Sequence, residues 1–402
     1  MTTSRTTVTT AGLGRALLGR QHLLERASGE PVPLVRHLVG LQSQNPPSPY
    51  LALRDRLTGF AHADLSALVA SRRVVRLAVM RSTVHLVAAE DAHVLAALSA
   101  PRLRRDLRGN ADRRADLEGT DVDAVAADAR GLLEDAPRTA PELGAALAAR
   151  GHPGRPDTLA MVARCLLPLV QLPPRGEWRR SGRTTWTTVE AALGPGPDLD
   201  LADPAVRDSA LGVLVERYLA AYGPATVADA QSWSGLTGLQ PVVDALGDRL
   251  RRVRHERADD LDGAGTRPRE LLDVPGAPLP DADVPAPVRL LPDFDDVLLA
   301  HADRTRIVPA AVKPHLASKN GMPPPTVLVD GRVAGGWRVE RERSGGRGSA
   351  RRETAVLRVT PWTAWTPAQR DEVVAEAEAV VRFWADDADG HRVDVDPPAA
   401  AG

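Results

Sequence analysis

Three times in its first 260 residues the chain runs from apolar positions at helical spacing into a short β-branched segment. That alternation of period constrains the fold more than any single motif, because a helix pattern and a strand pattern cannot exchange places. The first pass is the clearest. Leu13, Leu17, Leu18, Leu23 and Leu24 mark a helix over 13–27, "PLVRHLVGLQ" predicts a second opened by Pro31 and Pro33, and "PYLALRDRL" a third after Pro49. Asp64 is placed to cap "LSALVAS". "RRVVRLAVMRSTVHLVAAEDA" then alternates around Arg81, Thr83 and His85, which predicts two short strands. Helices followed by a small hairpin is the order of a winged helix.

The second pass starts with a Thr139-to-Glu142 capping box, continues through the apolar "RPDTLAMVARCLLPLVQ", and reads as a hairpin over 176–189 turning at Ser181-Gly182. The third, from "ALGVLVERYLAAYG" onward, adds a helix after Thr226, a turn at "SGLTG", a further helix and a strand. The remainder is different. A Pro/Gly-rich stretch reads as linker, strands dominate from Val288 to about Pro361, and Asp330-Gly331 is a hairpin turn. An amphipathic helix capped by Thr366 follows. The expected architecture is mainly α with β (α+β): tandem winged-helix units plus a C-terminal β-barrel-like domain. The expected boundaries are 1–115, 116–195 and 196–262 for the winged helices, 263–285 for the linker, 286–388 for the β domain with its terminal helix, and 389–402 for a disordered tail.

Composition excludes several functions. A single cysteine, Cys165, permits no internal disulfide. No His/Cys/Asp/Glu group has zinc spacing, and no P-loop, dinucleotide fingerprint or GxSxG elbow is present, so no metal and no cofactor are expected. No apolar run reaches the ~18 residues of a membrane span, and the polar N-terminus lacks a signal-peptide core, so the cytoplasm is expected. The net charge is −1, and nearly all the positive charge is arginine, with lysine only at 313 and 319. GC-rich coding accounts for much of that bias; arginine clusters also suit phosphate.

The stretch "GLQSQNPPSPYLALRDRL" (40–57) places two carboxamides, Gln42 and Gln44, around one serine. Pro46 disfavours helical geometry at Asn45, so the second helix is expected to end near Gln44. In extended backbone, residues two apart face one side, and a pair of carboxamides can orient a water. They cannot serve as general bases, so chemistry here requires a leaving group that is already activated. The alternative is a polar helix end that caps its own carbonyls.

Over residues 13–385 the chain resembles the bacterial winged-helix DNA glycosylases of the AlkZ and YcaQ type. The resemblance rests on "GLQSQNPPSPYLALRDRL", "VMRSTVHLVAAEDA", "AYGPATVADAQSWSGL", "LLPDFDDVLLAHADRTRIV" and "PTVLVDGRVAGGWRVERE" in that order. The family's catalytic motif is Gln-x-Gln in one branch and Gln-x-Asp in the other. Gln42-Ser43-Gln44 is similar to the AlkZ branch, with a polar serine where an aliphatic residue is preferred. The resemblance implies a monofunctional glycosylase that excises N7-alkylguanine, interstrand crosslinks included, in DNA repair or in the self-resistance of a genotoxin producer. It implies double-stranded DNA as partner, no membrane, and a monomer near the nucleoid.

Around the catalytic pair, Arg81, Thr83 and His85 are expected to line the same cleft. Arg341, Arg343, Arg347, Arg351 and Arg352, in a Gly/Arg-rich hairpin tip, are expected to contact phosphates; the clusters at 102–108 and 113–114 are equally well read as a solvated helix face. Asp293, Asp295, His301 and Arg304 read as a polar network that shapes the DNA channel or holds the β domain to the helices. A crosslinked base cannot swing out freely, so an open cleft is expected instead of a flipping pocket. The rival functions are a non-catalytic winged-helix regulator and a drug-sequestering resistance protein.

Overall fold

The computed structural model describes residues 6–256, 269–317, 323–344 and 352–397. Helix and sheet are mixed throughout, and the described strands form three sheets. Helices precede a hairpin three times. His62–Ala70 leads to Val74–Ala78 and Val84–Ala88, Pro156–Leu166 leads to Leu169–Gln171 and Thr185–Thr188, and Gln240–Leu246 leads to Arg251–His255 and Arg269–Asp273.

The first two hairpins do not stay separate. Val74–Ala78 pairs with Leu169–Gln171, so one six-stranded sheet runs through both. Each hairpin closes an edge that the other would leave open. Leu41–Gln42 forms the outermost strand at one end, beside Val84–Ala88. The second hairpin differs from the expected 176–189: its strands are Leu169–Gln171 and Thr185–Thr188. Pro173 and Pro174 end the first of these, since proline has no N–H for the ladder.

Thr7–Val8 adds a parallel strand to the third hairpin. Arg269–Asp273 falls inside the segment expected to be linker. It is a strand because Leu271 and Leu272 are buried, and it pairs with Arg251–His255.

The C-terminal sheet is open, not barrel-like. Its order is Arg289–Leu291, Thr326–Val329, Arg332–Ser344, Arg352–Pro361, Gly390–Val395, with the first and last strands as edges. A helix takes the place of closure. Pro367–Trp384 lays Val373, Ala377, Val380 and Val381 on the sheet at helical spacing. Burying each of these valines is worth about 1.5–3 kcal/mol. The tail expected to be disordered from 389 supplies the last strand instead, because Val393 and Val395 pack against the same apolar cluster. At the Asp330-Gly331 turn both residues have positive φ, 47° and 73°, the geometry of a type I′ hairpin.

Two fully buried ion pairs join distant parts of the chain. Arg56 donates to both oxygens of Asp295 at 2.9 and 2.8 Å, linking the helix Ser48–Arg56 to the C-terminal segment. Arg20 does the same to Asp273 at 2.7 and 3.0 Å. The main apolar core follows the same route, running from Leu17 through Tyr218 to Val333. Breaking one partner of a buried pair strands the other charge. Asp295→Ala is therefore expected to lower unfolding free energy by about 3–5 kcal/mol in denaturant titration. A loss below about 1 kcal/mol, the scale of an exposed pair, would contradict the assignment.

Candidate active site

Gln42 ends a short strand and Gln44 lies in the bend that follows it; neither is at a helix end. The helix Pro31–His37 stops seven residues before Gln44, which corrects the expectation drawn from Pro46. Val39 and Gly40 turn the backbone, with φ of 59° and 108°. A Cβ on Gly40 would lie 2.9 Å from Val87 Cγ1 and 3.1 Å from Leu86 O, so the backbone must pass the sheet here without a side chain. Leu41–Gln42 then joins the sheet, with Gln42 opposite His85. Pro47 and Pro49 do not end a helix; they open the next, Ser48–Arg56.

Serine in the middle of the motif has a structural reason. The buried Arg76, on the strand Val74–Ala78 beyond Val84–Ala88, donates through Nε to Ser43 Oγ at 3.0 Å and through Nη2 to Ser43 O at 2.7 Å. An aliphatic residue would leave Nε without an acceptor. Burial, with the charge of Arg175, pulls the Arg76 pKa down to about 10. The segment is further fixed from behind by Asp293, which accepts from Asn45 Nδ2 at 3.2 Å and from the Ser48 hydroxyl.

Arg81 organises the other wall. It lies between the strands Val74–Ala78 and Val84–Ala88, and both it and Ser82 have positive φ, 54° and 60°. Two successive side-chain-bearing residues in that region are strained. The neighbouring helix Val227–Ser234 holds them there. Its C-cap Gly235 is packed so tightly that a Cβ would stand 3.0 Å from Arg81 N and Cα. Arg81 Nη1 donates to Trp233 O at that helix end, where carbonyls lack partners and the dipole is negative. Its Nη2 donates to Gln42 Oε1 at 2.7 Å.

These contacts assign the polar atoms. Gln42 is 6% exposed, and its oxygen is taken by Arg81, so only its N–H groups remain to donate. His85 Nδ1 lies 3.0 Å from Thr83 O, a carbonyl that only accepts, so this nitrogen carries the proton and Nε2 turns its lone pair to Arg81 at 3.5 Å. Burial, then the Arg81 charge, lowers the His85 pKa to about 3. The ring is neutral at physiological pH and cannot serve as an acid. Gln44 is exposed, with no hydrogen-bond partner among the described residues.

The structure thus brings Gln42, Arg81, Thr83 and His85 together. Arg341, Arg343 and Arg352 lie elsewhere, on the C-terminal sheet. Arg341 is paired with Glu353 and Asp387, and Arg343 with Glu353; Arg352 is exposed. Arg347 and Arg351 fall outside the described residues. The acidic segment divides. Asp295 holds Arg56, Asp293 holds the motif loop, and His301 bonds Tyr222 O at 3.0 Å. Arg304 is exposed; the buried arginine of that segment is Arg306, which donates to Pro224 O at 2.8 Å. Sequence reasoning missed Arg76, Gly235 and Asp296. The signal for Asp296 was present: a second acid in the apolar run "LLPDFDDVLLA".

Ser43→Ala removes the acceptor of a buried, charged N–H. It is expected to cost about 1–3 kcal/mol in denaturant unfolding. A change within about 0.5 kcal/mol would mean that Arg76 does not depend on the serine.

Residues 35–383 match the family model described as DNA glycosylase AlkZ-like. A curated relative from Streptomyces sahachiroi, named interstrand DNA cross-link repair glycosylase, is 25% identical over 334 residues, covering 80% of this chain and 85% of its own. The solved structure of Streptomyces sahachiroi DNA glycosylase AlkZ superposes with a TM-score of 0.72 at 21% identity, over 97% of this chain and 100% of that one. With the family model spanning most of its length, this chain belongs to the AlkZ-like DNA glycosylases.

Proposed function

We propose that this DNA glycosylase hydrolyses the N-glycosidic bond of cationic N7-alkylguanine in double-stranded DNA, including guanines joined in interstrand crosslinks. The observation that carries the reading is the division of labour in the glutamine pair. Gln42, its oxygen held by Arg81, has only N–H donors left; Gln44, exposed and unpartnered, has a free carbonyl. Between them they offer a donor and an acceptor to one water. Gln42 and Gln44 are the catalytic residues of this proposal, and Arg81, Thr83 and His85 form the wall behind them.

The chemistry follows from the substrate. Alkylation at N7 makes guanine a cation. When the C1′–N9 bond breaks, the base takes the electron pair and leaves neutral, while the sugar gains oxocarbenium character. The oriented water forms the new C1′–O bond and releases its proton to solvent. The neutral His85 and the carboxamides do not protonate the leaving base, so the lesion must supply its own activation.

The cavity beside Gln42 measures about 10 Å³, room for a water and far too small for a base. With Gln44 exposed, this supports a lesion met at the protein surface, as a crosslink requires. The relative's printed name, a crosslink repair glycosylase, points the same way. The three groups of helices and hairpins act as tandem winged helices along the duplex, with Arg341, Arg343, Arg347, Arg351 and Arg352 on its phosphates. No described helix is long and apolar enough to cross a membrane. The enzyme acts as a monomer in the cytoplasm.

Single-turnover excision of N7-methylguanine tests the pair. Gln42→Ala and Gln44→Ala are each expected to lower the rate by on the order of 10²-fold with DNA binding retained. Rates equal to wild type in both would remove the glutamines from the mechanism. On the same assay, neutral guanine and uracil should stay in the duplex; rapid release of either would show an acid or base at work.

A further inference from the structure

The carboxyl group of Asp296 has no obvious employment. It is 2% exposed, and neither of its oxygens has a hydrogen-bond donor among the described residues. Its neighbour Asp295 takes both contacts of Arg56. Tyr222 stands close, but its one hydroxyl proton is donated to Leu38 O at 2.9 Å. An orphaned buried carboxylate is costly, and a protein that keeps one calls for a reason.

Its position supplies the reason. Asp296 and Gln42 line the same cavity of about 10 Å³, together with Ser48, Asp293 and Asp295. Arg81, whose guanidinium donates to Gln42 Oε1, forms no ion pair or hydrogen bond with Asp296; its charge acts on that carboxyl group through space. The glutamine meets this carboxyl group through the shared cavity. No other described arginine donates to the Gln42 side chain.

We propose that Asp296 is a positioning residue of the glycosylase site: its carboxylate, buried in the cavity it shares with Gln42, balances the charge of the guanidinium that fixes the glutamine. The inference rests on the glycosylase reading of the glutamine pair. Its physical content is a charge argument. Arg81 fixes the Gln42 oxygen, but an uncompensated guanidinium beside the site repels both a cationic base and the positive sugar of the transition state. A carboxylate buried behind the glutamine cancels that field. Because it lies below the motif and out of reach of solvent, it does so without acting as a base toward unmodified DNA.

The charged and titratable groups facing Asp296 are Arg81 from the strained turn, Arg56 from the helix Ser48–Arg56, Tyr222 from the helix Pro204–Tyr222, and Asp295 and Asp293 from its own segment. Burial raises its pKa, with Arg81 opposing and Asp295 reinforcing, to about 7. The anion therefore predominates above about pH 7 and is lost below it. Excision should fall as pH drops through that value.

The experiment is single-turnover excision of N7-methylguanine from a duplex between about pH 5.5 and 9, with spontaneous depurination of the same duplex subtracted. Wild type is expected to lose rate on the acid side with an apparent midpoint near about 7. Asp296→Asn, which keeps shape and removes charge, is expected to be about 10²-fold slower at high pH, with no acid limb and DNA affinity unchanged. A merely structural Asp296 would shift thermal stability and leave the pH profile as in wild type; that result would overturn the inference. So would a flat wild-type profile, which needs no variant to fold. Absence of excision by wild type at every pH would instead overturn the glycosylase reading of the glutamine pair, and this inference with it.

Discussion

The Arg81 guanidinium is the joint on which the site depends. One nitrogen meets the end of the helix Val227–Ser234 and another meets Gln42. A hairpin turn in an unfavourable backbone region and a helix from a later part of the chain are thereby brought to bear on one carboxamide. The contact is charge-assisted on both sides, which makes it stronger and more directional than a neutral pair. Gly235 permits it, because any side chain there would press on the Arg81 backbone. Remove this joint and Gln42 is free to turn either end of its amide outward; with it, only the donor end is available.

Around that joint the enzyme is built from buried charges with different duties. Arg56 gives both Nη atoms to Asp295 and leaves Nε unpaired among the described residues; the pair serves as a clamp between the first helices and the C-terminal segment. Arg76 has no carboxylate partner and works through hydrogen bonds to Ser43. Asp296 has no hydrogen-bond donor among the described residues. A motif without acids thus lies in a charged setting: Asp293, Asp295 and Asp296 share a cavity with the buried Gln42, and Gln44 is exposed.

Much of the frame was legible in sequence. Alternation around Arg81, Thr83 and His85 located the first hairpin, and the Asp330-Gly331 turn located another. What sequence could not show was geometry that depends on partners. The helix before the motif ends at His37 because Val39 and Gly40 turn against the sheet, and a valine at positive φ is invisible to propensity. The closed β domain became an open sheet because the helix Pro367–Trp384 covers a face that a barrel would have enclosed. The tail gained a strand for the same reason. At the site, the glutamine pair stood out by residue type and spacing. Arg76 and Asp296 did not, since their meaning lies in which neighbours they have and which they lack.

The central claim is that the protein supplies orientation and charge balance while the lesion supplies its own leaving-group activation. Single-turnover excision across a series of N7-substituted guanines, graded by their spontaneous depurination rates in the same duplex, tests it most directly. The account predicts that the logarithm of the enzymatic rate rises in near proportion to that of the spontaneous rate. A rate indifferent to leaving-group ability would contradict it, because it would mean that the enzyme itself activates the base.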